Sequence, residues 1–185
     1  MRKQFGPKTW MYPMPVLMIG TYDENGTPDL MNAAWGGIYD TNQVVISLAD
    51  EHKTTENIKK TGAFTVSFAT ADTAVPCDYV GIVSANDEPN KFAKAGFHHL
   101  PSALVNAPIV TELPMALECR LVHFNEDGIC VGEIVGISAD ESILNEKGQI
   151  CAELLRPICF DPVSHDYRIL GQSVGKAFSD GKALM

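Results

Sequence analysis

Apolar and β-branched residues follow one another at residues 16–22, Val-Leu-Met-Ile-Gly-Thr-Tyr, and this run predicts a β-strand. Residues 23–26, Asp-Glu-Asn-Gly, predict a hairpin turn because Asn and Gly both tolerate a positive φ. The chain is expected to return as a strand over residues 29–35. It then passes through the glycines at 36–37 into a third strand at 44–48. This part of the chain therefore predicts antiparallel β-structure.

Helical patterns separate these strands from the next ones. Residues 54–62 predict a short helix, in which a threonine can cap the first turn and Gly62 is placed to end the last one. Residues 64–68 alternate with period two and predict a strand. Two further helices are predicted at residues 75–83 and 89–95, the second with proline in its first turn.

The second half of the chain returns to strand patterns. Residues 117–121 alternate apolar and charged side chains, as a half-buried strand does, and an Asx-Gly turn follows at 125–128. Residues 129–138 predict a long strand with bulges or bends at Gly132 and Gly136. Hairpins with helices inserted between them predict a mainly β protein with helices, built as an antiparallel barrel.

Composition sets limits on function. The chain has 185 residues, of which 45% are hydrophobic and 20% charged, so it can bury a core, and residues 1–185 are expected to form one domain. Its net charge of −9 argues against a nucleic-acid partner, because proteins that bind nucleic acids usually carry a basic surplus. A phosphate-bearing ligand would need a locally basic or amide-rich pocket.

The expected location is the cytoplasm, with no membrane association. The first residues contain no long apolar stretch typical of a signal peptide, and the apolar run that follows them is too short to span a bilayer. The five cysteines form no C-x-x-C pair, so we expect thiols in a reducing compartment.

One common cofactor motif is missing. The sequence has no G-x-G-x-x-G dinucleotide fingerprint. The five histidines are scattered, which favours surface or structural roles, so no metal site is expected.

The junction between the third strand and the first helix is the best candidate for an anion site. Here His52 and Lys53 bring positive charge to the start of a helix, and Thr54 adds a hydroxyl group. Free backbone N–H groups and the helix dipole favour a phosphate at such a place. An ordinary capped helix on the protein surface remains the alternative.

A second candidate is the segment at residues 31–37, Met-Asn-Ala-Ala-Trp-Gly-Gly. Small residues beside a carboxamide and an indole would let a flat ring approach the backbone closely. A core strand explains the same residues equally well.

Together these segments resemble the flavin-reductase-like family with the FMN-binding split-barrel fold, and most closely its flavoredoxin branch. The similarity covers nearly the whole chain in order. It runs through Pro15-Val16, the turn at 23–26, Met31 to Trp35, His52-Lys53-Thr54, Asn57-Ile58, Phe64-Thr65-Val66, Asp78 to Ser84, Lys91-Phe92, Tyr167 and Leu170-Gly171.

The resemblance implies non-covalently bound FMN, usually at or near a homodimer interface, in a split antiparallel β-barrel. It implies that His52, Lys53 and Thr54 bind the phosphate, although many relatives carry arginine there. The ribityl chain and ring would be lined by Asn32, Ala33, Ala34, Trp35, Ser47, Leu48 and Ala49. Further contacts would come from Asp78, Tyr79, Gly81 and Ser84.

Three functions remain open within this resemblance. NAD(P)H could reduce the flavin directly in an enzyme, or a redox protein could do so in an electron carrier that binds no nicotinamide. The third is a flavin-binding protein without catalysis. Cys77 could lie near the flavin as a redox thiol or act as a small buried hydrophobe.

Overall fold

The computed structural model describes residues 1–185 and is dominated by twelve β-strands. The strands are β1 (Met14–Pro15), β2 (Leu17–Tyr22), β3 (Pro28–Ala33), β4 (Gly36–Asp40), β5 (Gln43–Ser47), β6 (Ala63–Phe68), β7 (His99–Pro101), β8 (Pro108–Val110), β9 (Met115–Phe124), β10 (Ile129–Ala139), β11 (Ile158–Asp161) and β12 (Asp166–Ile169). The helices are α1 (Lys53–Thr61), α2 (Ala74–Ile82), α3 (Lys91–Lys94) and α4 (Ala152–Leu155), with 3₁₀ turns at Glu141–Ile143 and Asp180–Leu184.

Seven of the strands form one curled antiparallel sheet in the order β3-β2-β6-β9-β10-β5-β4. Two smaller antiparallel sheets, β1-β11-β12 and β7-β8, accompany it. This architecture is a split barrel, so the prediction of a mainly β protein with helices is confirmed.

Local sequence signals explain the turns of the large sheet. At the β2–β3 hairpin, Asp23 Oδ1 accepts the N–H groups of Asn25 and Thr27 at 2.8 and 2.7 Å, and Gly26 adopts a φ of 81°. The predicted irregularities of β10 are also present, because its register with β9 shifts at Val131/Gly132 and at Ile134/Gly136.

Helix α1 forms as predicted, but its first turn differs. It ends at Gly62, which has a φ of 67°. The residue that precedes it, His52, makes no side-chain capping bond. The prediction of a capping threonine is wrong because both hydroxyls find other acceptors: Thr54 donates to Asp29 Oδ2 at 2.5 Å, and Thr55 donates to the Ala49 carbonyl at 2.8 Å.

Three other parts of the chain differ from the prediction. The return strand over 29–35 ends at Ala33, and the two glycines that follow begin β4 instead of connecting to the third strand. The helix predicted at 89–95 is reduced to the four residues of α3. Strands β11 and β12 were not predicted; β11 pairs with the distant β1 on one side and with β12 on the other.

The core lies on both faces of the large sheet. Side chains of β2 alternate between the two faces, with Ile19 in a cluster that includes Phe64 and Met18 in a cluster that includes Val80 of α2. Helix α2 is therefore held against the outer face of the sheet, close to β3 and the start of α1.

Candidate functional site

The start of α1 offers unpaired hydrogen-bond donors. The backbone N–H groups of Lys53, Thr54 and Thr55 have no acceptor within the protein, whereas the N–H of Glu56 donates to the His52 carbonyl at 3.1 Å. Because no side chain caps this end, its partial positive charge is available to an anion.

This helix start opens into a cavity of about 290 Å³, here called the small cavity. Its lining residues are Met31, Asn32, His52, Lys53, Thr54, Val80, Gly81, Ile82, Val83, Ser84, Ala85 and Lys91. Six residues of the predicted site lie among them: Asn32, His52, Lys53, Thr54, Gly81 and Ser84. The structure thus brings the α1 start together with the end of α2 and the loop that follows.

The buried Lys91 joins the elements around the small cavity. Its side chain is only 4% exposed, and Nζ donates to the carbonyls of Val80 and Val83, both at 3.0 Å. Nζ also lies 3.3 Å from Oδ1 of the buried Asp29. Since the other oxygen of Asp29 accepts from Thr54, one network links β3, α1 and α2. Sequence reasoning did not place Lys91 in the site, because nothing in the pattern distinguishes a buried lysine from an exposed one.

The charge of Lys53 is only partly compensated. Its Nζ lies 3.2 Å from Glu56 Oε1 in an i,i+3 pair, and its side chain is 24% exposed. Glu56 also pairs with Lys60 at 2.8 Å, so one carboxylate serves two ammonium groups. Lys60 in turn lies 3.5 Å from Glu24 Oε2, so the two lysines share two carboxylates, and the Lys53 ammonium group still lines the small cavity.

Asn32 is held by two neighbours. A Cβ at Gly81 would lie 2.7 Å from Asn32 Cβ, so only glycine permits this approach of α2 to β3. Tyr167 of β12 donates to Asp78 Oδ1 at 2.6 Å. Burial and the Asp78 carboxylate raise the pKa of Tyr167 to about 12, and a hydrogen bond with Asn32 acts in the opposite direction. Asn32 therefore lies between Gly81 and Tyr167, and the Asp78 carboxylate holds Tyr167 in place.

A second, larger cavity of about 610 Å³ lies beside the start of β4 and the strand β5. The residues around this large cavity are Lys8, Thr9, Trp10, Met11, Met14, Trp35, Gly36, Gly37, Val45, Ser47 and Ile129. Trp35 and Ser47 of the predicted site lie here, and the Ser47 N–H donates to the Trp35 carbonyl at 2.8 Å. Its volume falls within the range of small-molecule sites.

Most residues around the large cavity were not predicted from the sequence. The N-terminal segment had no predicted role in the site, whereas Gly36 and Gly37 belong to the segment 31–37 that was predicted to let a flat ring approach. Trp10 was the only signal, an aromatic side chain in a stretch without periodicity.

The remaining predicted site residues line neither cavity. They are Ala33, Ala34, Leu48, Ala49, Asp78 and Tyr79. Ala33 and Leu48 are buried against the barrel core. The contacts proposed for these six residues with a ligand stay predictions.

Cys77 of α2 is a packed hydrophobe rather than an exposed thiol. It is 1% exposed and belongs to the cluster between the sheet and α2. Burial raises its pKa to about 11, against the opposing effect of a hydrogen bond with Thr73. The thiol is therefore protonated at neutral pH and is a poor nucleophile.

Two kinds of feature are not found. No group of three or more His, Cys, Asp or Glu side chains is placed to hold a metal ion. None of the helices combines the length and the apolar character needed to cross a bilayer.

Known proteins share both the sequence and the fold of this chain. A family model described as a flavin reductase like domain matches residues 10–155. The flavoredoxin of Desulfovibrio vulgaris (Miyazaki F) is 38% identical, with a TM-score of 0.94 over 98% of this chain and 100% of its own. A flavoredoxin from Methanosarcina acetivorans is 26% identical, with a TM-score of 0.90 over the full length of both chains.

A more distant structure shares the fold. An FMN-binding domain of a flavin reductases-like enzyme from Shewanella baltica OS155 is 22% identical, with a TM-score of 0.78 over 88% of both chains. Among curated proteins, none matches the sequence.

Proposed function

Because the chain belongs to the flavin reductase-like family, we propose that residues 1–185 act as one FMN-binding domain that transfers electrons through the bound flavin. The observation that carries this proposal is the uncapped start of α1. Three unpaired N–H groups there adjoin a cavity lined by His52 and Lys53.

The two cavities fit the two ends of FMN. The small cavity offers donors and positive charge to the phosphate, through His52, Lys53 and Thr54. The large cavity offers an apolar wall, with Trp35 and the β4 glycines, to a flat ring. The ribityl chain would follow the segments that join the cavities, which contain Asn32, Ala33, Ala34, Leu48 and Ala49.

The end of α2 supports this assignment. Gly81 and Ser84 line the small cavity beside Lys91, and Asp78 holds Tyr167 near Asn32. We propose that Asp78, Tyr79, Gly81 and Ser84 complete the binding site.

When bound, the isoalloxazine ring supplies the redox chemistry, since it accepts a hydride or single electrons. The protein residues bind and orient it. Trp10, Met11 and Met14 would exclude water from the large cavity, while Lys53 and the α1 amides fix the phosphate end. No side chain needs to act as an acid or base in this scheme.

Direct reduction by NAD(P)H is the preferred form of the activity. It is favoured by the large cavity, whose volume of about 610 Å³ leaves room for a donor or acceptor beside the ring. The second candidate is an electron carrier served by a redox protein. It is favoured by the net charge of −9, which suits a basic partner. In either form we propose a cytoplasmic homodimer, by analogy with the family.

Anaerobic titration separates these candidates. The purified protein is expected to be yellow or to bind added FMN, and NADH or NADPH should bleach the flavin absorbance within seconds if the protein is an enzyme. Reduction by a protein donor but not by nicotinamide would identify a carrier. A colourless protein that does not take up added FMN would refute the proposal.

A further inference from the structure

The last fifteen residues, 171–185, form a segment that makes no hydrogen bond with the rest of the protein; we call it the C-terminal arm. The last backbone bond to the body runs from the Leu170 N–H to the Pro157 carbonyl at 3.0 Å. Bonds beyond this point stay within the arm, such as that from the Lys176 N–H to Asp180 Oδ2 at 2.8 Å. The arm therefore has its own local turns but no surface to rest on.

The arm exposes apolar side chains almost completely. The exposed fractions of Val174, Phe178, Leu184 and Met185 are at least 94%. A large apolar side chain gains about 1.5–3 kcal/mol from full burial, so such a cluster indicates a contact surface rather than a solvated tail.

The total surface of the chain points to a second copy as the partner. The protein exposes 11326 Å² at 20.1 kDa. The area-to-mass relation for folded monomers gives about 8,700 Å² for this mass, which leaves an excess of about 2,600 Å². Permanent interfaces bury about 2,000–5,000 Å² over both partners, which is about 1,000–2,500 Å² on each, so the excess is near the largest area that one subunit of a stable dimer covers.

A free apolar edge is available to receive the arm. Strand β4 lies at one end of the seven-stranded sheet, and its edge exposes Ile38 by 71% and Tyr39 by 58%. The preceding Trp35 is 58% exposed and lines the large cavity. Uncovered apolar edge strands are rare in folded proteins because they invite association.

Charge is consistent with this pairing. The arm carries two lysines and one aspartate, whereas the whole chain has a net charge of −9. The arm therefore carries no acidic surplus of its own that would oppose docking on the acidic body of another copy.

We propose that the C-terminal arm of one subunit docks on the β4 edge of a second subunit, where Phe178 and Leu184 pack against Ile38 and Tyr39. The arm then covers the outer side of Trp35 and closes the partner subunit's large cavity. This inference deepens the homodimer part of the proposed function and rests on it.

Sedimentation velocity of the full-length protein tests the arm. Phe178→Ser with Leu184→Ser should raise the dimer dissociation constant at least about tenfold, because two buried apolar contacts are lost. The matched control, Phe178→Leu with Leu184→Met, keeps the arm apolar and should remain a dimer. Ile38→Ser with Tyr39→Ser should weaken the dimer as much as the first pair does.

The outcomes separate this inference from the flavin proposal, because sedimentation does not depend on flavin. An unchanged dimer in the serine arm variant overturns the arm contact and leaves the homodimer. An unaffected β4 variant overturns the docking surface, and a wild-type monomer overturns both the homodimer and the arm. A dimer that fails to bind FMN refutes the flavin site while the arm contact stands.

Discussion

Lys53 and Lys59 differ in what they face, although both lie on α1. Lys53 lines the small cavity, whereas the exposed Lys59 pairs with Asp50 at 2.7 Å and lies over the ring of Phe124. We expect Lys53→Ala to weaken FMN binding about ten- to a hundredfold, because a hydrogen bond to a charged group contributes about 1.5–3 kcal/mol. Fluorescence titration of the apoprotein measures this affinity.

Two controls belong to this prediction. Lys59→Ala should leave FMN affinity unchanged. Riboflavin, which lacks the phosphate, should bind Lys53→Ala and the wild type equally. Equal losses for FMN and riboflavin would show that Lys53 supports the fold rather than the phosphate.

Adjacent glycines of β4 should respond differently to substitution. A Cβ at Gly37 meets no atom within 4 Å, so the leucine side chain of Gly37→Leu would extend into the large cavity. Flavin affinity should fall by about one order of magnitude or more, while apoprotein stability changes by less than about 0.5 kcal/mol. Flavin titration and thermal unfolding of the apoprotein measure the two effects.

Gly36 provides the contrast. A Cβ there would lie 2.8 Å from the Val45 carbonyl oxygen and 2.9 Å from Leu17 Cδ1. Gly36→Ala should therefore destabilise the apoprotein by about 1–3 kcal/mol. A Gly37→Leu protein that binds FMN normally would argue against a ring in the large cavity.

Single residues were predictable where their chemistry is local. His52, Lys53 and Thr54 stood out because two cations and a hydroxyl group meet a helix start, and all three line the small cavity. Trp10 and Lys91 could not be found in this way. Their placement depends on contacts with distant segments, which composition and spacing do not record.

At the scale of elements, Lys91 connects α2 to β3 and α1. Asp29 Oδ1 accepts no hydrogen bond and is paired only with the Lys91 ammonium group, so Lys91→Met would leave this buried carboxylate without its counter-ion. Loss of one member of a buried ion pair costs about 3–5 kcal/mol, and we expect this decrease in the free energy of unfolding. Urea denaturation of the apoprotein measures it.

The double variant Asp29→Asn with Lys91→Met is the matched comparison. It removes both charges, so it should be more stable than Lys91→Met alone. If both variants lost the same stability, the ion pair would not be the cause. The loss would then come from the carbonyls of Val80 and Val83, which lose their donor in both proteins.

Elements with local signals were predicted well. Helix α1 follows from its ending glycine and the β2–β3 hairpin from its Asn-Gly turn, and helix α2 lies within one residue of its predicted bounds. Strand β4 was missed because glycines at its start imitate a loop. Strand β11 was missed because its hydrogen bonds reach β1, far away in sequence, and β12 pairs only with β11. Tertiary pairing overrides weak local preference in such segments.

At the scale of the whole molecule, three buried thiols make the free energy of unfolding depend on pH. Burial raises the pKa of Cys77 to about 11 and those of Cys119 and Cys130 to about 12, from the ordinary 9.0. Cys119 and Cys130 lie in the core inside the sheet, and Cys77 lies in the core between the sheet and α2. Both cores therefore contain a group that must stay protonated in the folded state.

The sign of the effect follows from proton binding. Above pH 9.0 the thiols of the unfolded chain lose protons that the folded protein retains, so stability is fully present below this pH and falls as pH rises towards 11–12. Each thiol contributes a slope of about 1.4 kcal/mol per pH unit. Urea midpoints measured from about pH 8 to about pH 10 should therefore decrease steeply above pH 9.0.

Removal of one thiol isolates its share of this slope. Cys77→Ala should lower the free energy of unfolding at pH 8 because a packed side chain is lost. It should also make the decrease above pH 9.0 less steep by the share of one proton, about 1.4 kcal/mol per pH unit. The range below about pH 10 is chosen because burial also raises the pKa of Tyr22, whose ordinary value is 10.0. An identical decline in Cys77→Ala and the wild type would mean that this thiol does not control alkaline unfolding. The slope would then arise elsewhere in the barrel.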